Sequence, residues 1–294
     1  MDTFVQNGIL ALANVVEQES TGWINGHVGA SLLAGAALLK SGCLSDAAYE
    51  SLLLRLHLQS EEAVYLLKPL ALSPLTKDYT PVIDAIAKNT QQLSRSGHGV
   101  IYGALFLRAV SDHNLRVSEN IVLNVAQLIS NCSADNWGRY FGVADYRLFH
   151  SQAGHTLQHL DKTPYDIKAL CELAIKRSVS HVYFDTDAHF FTGEKIHGIT
   201  HAHAIYLLHS LGYTELAKQA MPMLLMQLEL NDLRPESGLT RVKPKRLDLS
   251  DPTVWGVGYT NEHQIKLAQS YVELSQVLTL PLSVLDGLWG GVVD

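Results

Sequence analysis

With 294 residues, 47% of them apolar and 17% charged, the chain can build a sizeable core and is not a disordered segment. Its formal net charge of -7 argues against a nucleic-acid binder, and its three cysteines (Cys43, Cys132 and Cys171) lack the CxxC spacing of a zinc site or the even count of a disulfide framework. No apolar run nears the ~20 residues of a membrane span and no basic leader opens the chain, so a cytoplasmic protein without a membrane partner is expected.

In chain order, helical periodicity marks segments at about 3–18, 27–41, 45–57, 60–70, 81–94, 98–112, 117–131, 152–160, 164–178, 197–211, 214–229, 260–277 and 281–288. Gly42 and Gly212 read as C-terminal stops, and Ser45, Asp46, Ser60-Glu61 and Thr163-Pro164 as starts. Short connections pair 27–41 with 45–57, 98–112 with 117–131, and 197–211 with 214–229. The expected fold class is all-α: antiparallel helical hairpins in a bundle or an α/α toroid-like array, as a single domain over 1–294. HVGASLLAGAALLKSG (27–42) and HGITHAHAIYLLHSLG (197–212) align without gaps at His27/His197, Ala34/Ala204, Leu38/Leu208 and Gly42/Gly212, a hint of repetition. Two stretches resist a helical reading. Residues 231–259 form a long irregular segment whose end, VWGVGY, should pack; FDTDAHFF (184–191) alternates and reads as a strand or a loop.

Histidine carries the chemistry. Between His197 and His209 lie four imidazoles. At 100° per residue His197 and His201 share a face that continues through Ala204 and Leu208, while His203 points the other way and His209 to one side. His155 and His159 have the same i, i+4 spacing, so His155, His159, His197 and His201 are candidate metal ligands. Hydrogen-bonded buried histidines are the plainer alternative. His27 and His98 each follow a glycine at a helix start, where amide donors and the helix dipole disfavour imidazolium, and Tyr102 lies one turn beyond His98. Near the end, Glu262, His263 and Lys266 lie within one turn. Glu262 and Lys266 suit a surface ion pair, whereas an inward Lys266 would hold an anion or polarise a carbonyl. Arg241, Lys243, Lys245 and Arg246 reverse the local charge and would grip a phosphate if not simply solvated. Rossmann, P-loop and nucleophile-elbow signatures are missing.

The blocks WINGHVGASLLAGAALLKSG, SGHGVIYGALFLRA, KIHGITHAHAIYLLHSLG and YTNEHQIKLAQSYVEL resemble, in order and character, those of questin-oxidase-like proteins. That resemblance implies an oxidoreductase acting on an aromatic ketone or quinone-type small molecule, with NADPH and oxygen. It would gather His27, His98, His197, His201, His263 and Lys266 around one cavity, with Tyr102 orienting substrate. Two other readings stay open: a metal-dependent enzyme built on the paired His-x-x-x-His helices, and a non-catalytic scaffold that binds a partner on a concave face.

Overall fold

The computed structural model describes residues 3–91, 96–134, 166–180, 183–184, 189–231, 240–241, 247–256, 262–286 and 288. Its architecture is all-α. The helices, in chain order, are α1 (Thr3–Gln18), α2 (Gly26–Lys40), α3 (Asp46–Glu62), α4 (Thr80–Asn89), α5 (His98–Asp112), α6 (Glu119–Asn131), α7 (Ile167–Val179), α8 (His189–Ser210), α9 (Thr214–Asn231) and α10 (Glu262–Leu278). Two short antiparallel strand pairs tie loops together: β1 (Leu75–Thr76) with β2 (Val117–Ser118), and β3 (Tyr183–Phe184) with β4 (Thr240–Arg241).

The expected starts and stops work as capping chemistry predicts. Ser45 accepts a hydrogen bond from the Ala48 amide at the head of α3, and Gly42 and Gly212 adopt φ of 70° and 91° just past α2 and α8. Other boundaries move. Ser60 does not open a helix; its hydroxyl bonds back to the Leu56 carbonyl inside α3, which runs on to Glu62 before a short 3-10 turn at Val64–Leu66. The last expected helix, 281–288, opens with a 3-10 turn at Leu282–Leu285 and is α-helical at Asp286 and Leu288. Helix α8 starts at His189, well before His197, so the end of FDTDAHFF is helical, while Phe184 pairs in the short strand Tyr183–Phe184; residues 185–188 lie outside the described residues. The expected helix at 152–160 lies outside the described residues.

Four helices form an inner ring. α2 packs on α5, α5 on α8, α8 on α10, and α10 back on α2. They run the same way. Their starts bring His27, His98, His197 and His263 together, and their far ends line one groove through Lys40, Asp112, Tyr206 and Gln276. The hairpin partners lie outside: α1 and α3 on α2, α6 on α5, and α7 and α9 on α8. This packing is that of an all-α helical bundle, the fold class expected. The matched pairs of the internal repeat fall into place: Ala34, Leu38, Ala204 and Leu208 are all buried on the ring helices. Burying one leucine contributes roughly 2 kcal/mol, so the repeat reflects a shared packing surface. The irregular segment is packed at Trp255, and residues 257–259 lie outside the described residues. Trp255 is fully buried, its indole N–H donates to the Leu249 carbonyl, and its 3-10 turn lies on α3.

Candidate functional site

Each ring helix delivers one imidazole to the same place. His98 is the first residue of α5, His27 the second of α2, and His263 the second of α10. Helix α8 begins earlier and supplies His197 from its third turn. Ring centroids are 4.7 Å apart for His27–His98, 4.5 Å for His98–His197, 4.4 Å for His27–His263 and 5.1 Å for His197–His263. The Nε2 atoms of His98 and His197 are 3.0 Å apart, so one carries the proton that the other accepts. Tyr102 closes one side, its ring 5.9 Å from His27 and 5.5 Å from His98, and Trp23 stacks at 4.9 Å on His98.

Lys266 belongs to this cluster. It is 1% exposed, and its Nζ is in hydrogen-bond contact with His27 Nδ1. The surface ion pair with Glu262 is therefore not what this lysine makes; the rotation of α10 that turns His263 inward turns Lys266 inward as well. Burial pushes its amine down to about 7, with Glu262 pulling the other way. Burial likewise holds His27 and His263 well below the usual imidazole range, helped by Lys266 and neighbouring imidazoles. These rings are neutral at pH 7 and keep a lone pair each. His27, His98 and His197 each offer a ligand atom, and the three atoms all lie within 4.8 Å of one another. Nitrogen ligands around one first-row ion at ~2.1 Å are separated by roughly 3–4 Å, so small ring rotations complete such a site.

His201 stands one turn from His197 and does something else. Its Nδ1 is 2.9 Å from Gln227 Oε1 on α9, and burial lowers it to about 4 against the opposing Gln227 hydrogen bond. Its ring lies on Gly97, the αL cap before His98; a Cβ there would come within 2.3 Å of Nδ1. The expected metal pairing of His197 with His201 is thus replaced by His197 with His27 and His98. His203 faces the other way, as its angle implies, and donates to Glu273 Oε2 at 2.9 Å. His209 lies at the surface near Thr214. His155, His159, Lys243, Lys245 and Arg246 lie outside the described residues, and only the backbone of Arg241, in β4, is described. Lys266, buried on His27, does not present the open phosphate grip expected of a nicotinamide cofactor site.

Four residues that matter were not singled out from sequence. Arg108, Glu273 and Gln269 form a network with His203, and Gln227 orients His201. A signal existed for Arg108, the one charged residue inside the apolar run GALFLRAV. Comparison with protein-family models, with curated proteins and with solved structures gives no match for this chain.

Proposed function

We propose that the chain is a metal-dependent oxidoreductase acting on an aromatic or quinone-type small molecule, with His27, His98 and His197 as metal ligands. The observation that supports this is the convergence of three buried imidazoles from three ring helices on one point. All-imidazole sites suit zinc, copper, iron or nickel, and the redox-active members of that set supply the electron transfer that the oxidoreductase reading needs. The substrate class rests on the resemblance of the histidine-led helix starts.

The surrounding residues have roles that follow from their contacts. As a neutral amine, Lys266 accepts the His27 Nδ1 proton and leaves Nε2 with its lone pair; as an ammonium it donates to Nδ1 and forces the proton onto Nε2. With burial placing the amine at about 7, Lys266 holds or releases a proton near neutrality. His263 packs on both His27 and His197 and is placed to pass a proton between Lys266 and a bound molecule. Tyr102 and Trp23 provide flat walls for an aromatic ring.

The test is elemental analysis of protein purified without chelators and reconstituted with iron(II), copper(II), nickel(II) and zinc(II) in turn. About one ion per chain is expected in the wild type, and none in His98→Ala or His197→Ala. Equal metal content in wild type and both variants would sink the proposal.

A further inference from the structure

Helix α8 carries a second buried imidazole whose chemistry is left incomplete. His201 is 0% exposed and Gln227 is 1% exposed. They satisfy each other at one atom pair only, His201 Nδ1 with Gln227 Oε1 at 2.9 Å. His201 Nε2 and Gln227 Nε2 are both buried and have no hydrogen-bond partner among the described residues. An amide oxygen has no proton to give, so Nδ1–H donates and Nε2 keeps the lone pair. That lone pair is directed to the side of the ring away from Gln227. Leaving a buried acceptor unmet is costly, and native proteins fill such positions with a ligand or an ordered water. The ring is close to the cluster: it is one helical turn from His197, it lies on the glycine immediately before His98, and it feels the charge of His98.

We infer that His201, oriented by Gln227, is a specificity-determining hydrogen-bond acceptor for a hydroxyl group of the small molecule bound beside His98 and His197. This rests on the reading of the cluster as a small-molecule site, and it does not require the metal. Gln227 is a positioning residue: it fixes the imidazole tautomer so that the nitrogen away from the amide, Nε2, is an acceptor. A ligand bearing a hydroxyl satisfies Nε2, whereas an otherwise equal ligand without a donor leaves it stranded. Sites built to pair with a hydroxyl reject the analogue lacking it far more strongly than apolar pockets reject a shape change.

The probes are phenol and fluorobenzene, which share a shape and differ in the donor. Both are titrated into wild-type protein with ¹⁵N-labelled histidine, and metal content is measured on the same samples. The expected result is phenol binding about 10-fold tighter or more than fluorobenzene, with the His201 Nε2 resonance moving on phenol binding only. In His201→Leu the ratio should fall to about 1. Gln227→Glu, which still accepts from Nδ1, should keep the preference; Gln227→Leu should lose it together with the Nδ1–H tautomer, a change that a purely packing role would not produce. Equal binding of the two probes in the wild type, a preference that survives His201→Leu, or a proton found on Nε2 of the free protein would each overturn the inference. A preference that persists in protein unable to hold metal supports the subsite while refuting the metal reading.

Discussion

The two ends of the inner ring carry similar residue types in opposite states. At the far end Arg108 grips Glu273 through both carboxylate oxygens at 2.5 and 2.6 Å, His203 and Gln269 donate to the same carboxylate, and Arg108 also reaches Asp112. Every lone pair of that carboxylate is used, and its pKa is held at about 2. At the near end a buried lysine meets an imidazole, and among the described residues the carboxylate that acts on it is Glu262, a turn away on the same helix. Three helix starts converge there with their positive dipole ends, which disfavours a protonated Lys266. A closed network around a carboxylate fixes helices in place; imidazoles gathered on one another and on an amine offer ligand atoms to a metal ion or a polar molecule. The comparison teaches which histidines of α8 to weigh for chemistry: His197, which lies in the imidazole cluster, and His201, whose Nε2 is unmet, and not His203.

Removing a ligand imidazole should have the largest effect. His98→Ala or His197→Ala is expected to lower metal affinity about 100-fold or more, since even outer-shell losses reach that order. Competition with a chromophoric chelator measures it. Glu273→Gln at the other end should leave metal affinity unchanged, and a matching loss there would erase the distinction between the two ends.

The second prediction is of sign. Lys266→Met should stabilise metal-free protein by a few kcal/mol, about 5 at most, because it removes a buried cation whose amine is pushed from 10.5 to about 7. The folded pKa lies below the unfolded one, so the burden is full below about 7 and disappears as pH rises through the ordinary lysine range. The gain measured by urea unfolding should therefore be largest at pH 6 and vanish near pH 10.5. A loss of stability at pH 6 would mean that Lys266 has a compensating partner.

Glu273 should behave in the opposite sense. Its carboxyl is depressed from 4.5 to about 2, so its contribution, about 3 kcal/mol, is complete above pH 4.5 and is lost as pH falls through 2. Glu273→Gln should flatten the acid limb of stability against pH over that window and destabilise the protein at pH 7 by a similar amount, through the stranded Arg108 and His203.

How much of this contrast was legible in the chain depends on the range of the interactions involved. The helix α5 at 98–112 and the stops at Gly42 and Gly212 follow from local rules of period and backbone conformation. The angle between His201 and His203 followed from helix geometry, which correctly sent them to different neighbours. Closure of the ring did not follow, because α2 meets α10 across more than two hundred residues and no local pattern encodes that contact. Lys266 was undecided for the same reason: Glu262 at i−4 favours the surface, and only the packing of α10 on α2 overrides it. Gln227 was invisible because an oriented amide and a solvated one look alike in sequence.

The smallest effect isolates the site from the backbone that carries it. Gly42 and Gly97 both have φ of 70°, a conformation that costs a non-glycine residue roughly 1 kcal/mol. Around Gly42 a Cβ meets nothing within 4 Å, whereas at Gly97 it would meet the His201 ring at 2.3 to 2.7 Å. Gly42→Ala should therefore cost about 1 kcal/mol and leave metal content and the His201 resonances untouched. Gly97→Ala should cost about 2 kcal/mol or more and shift His201 away from Gln227, because the ring must move before the methyl group fits. If the two substitutions prove equal in stability and in the His201 spectrum, then His201 does not rest on Gly97, and the near end of the ring is looser than its contacts describe.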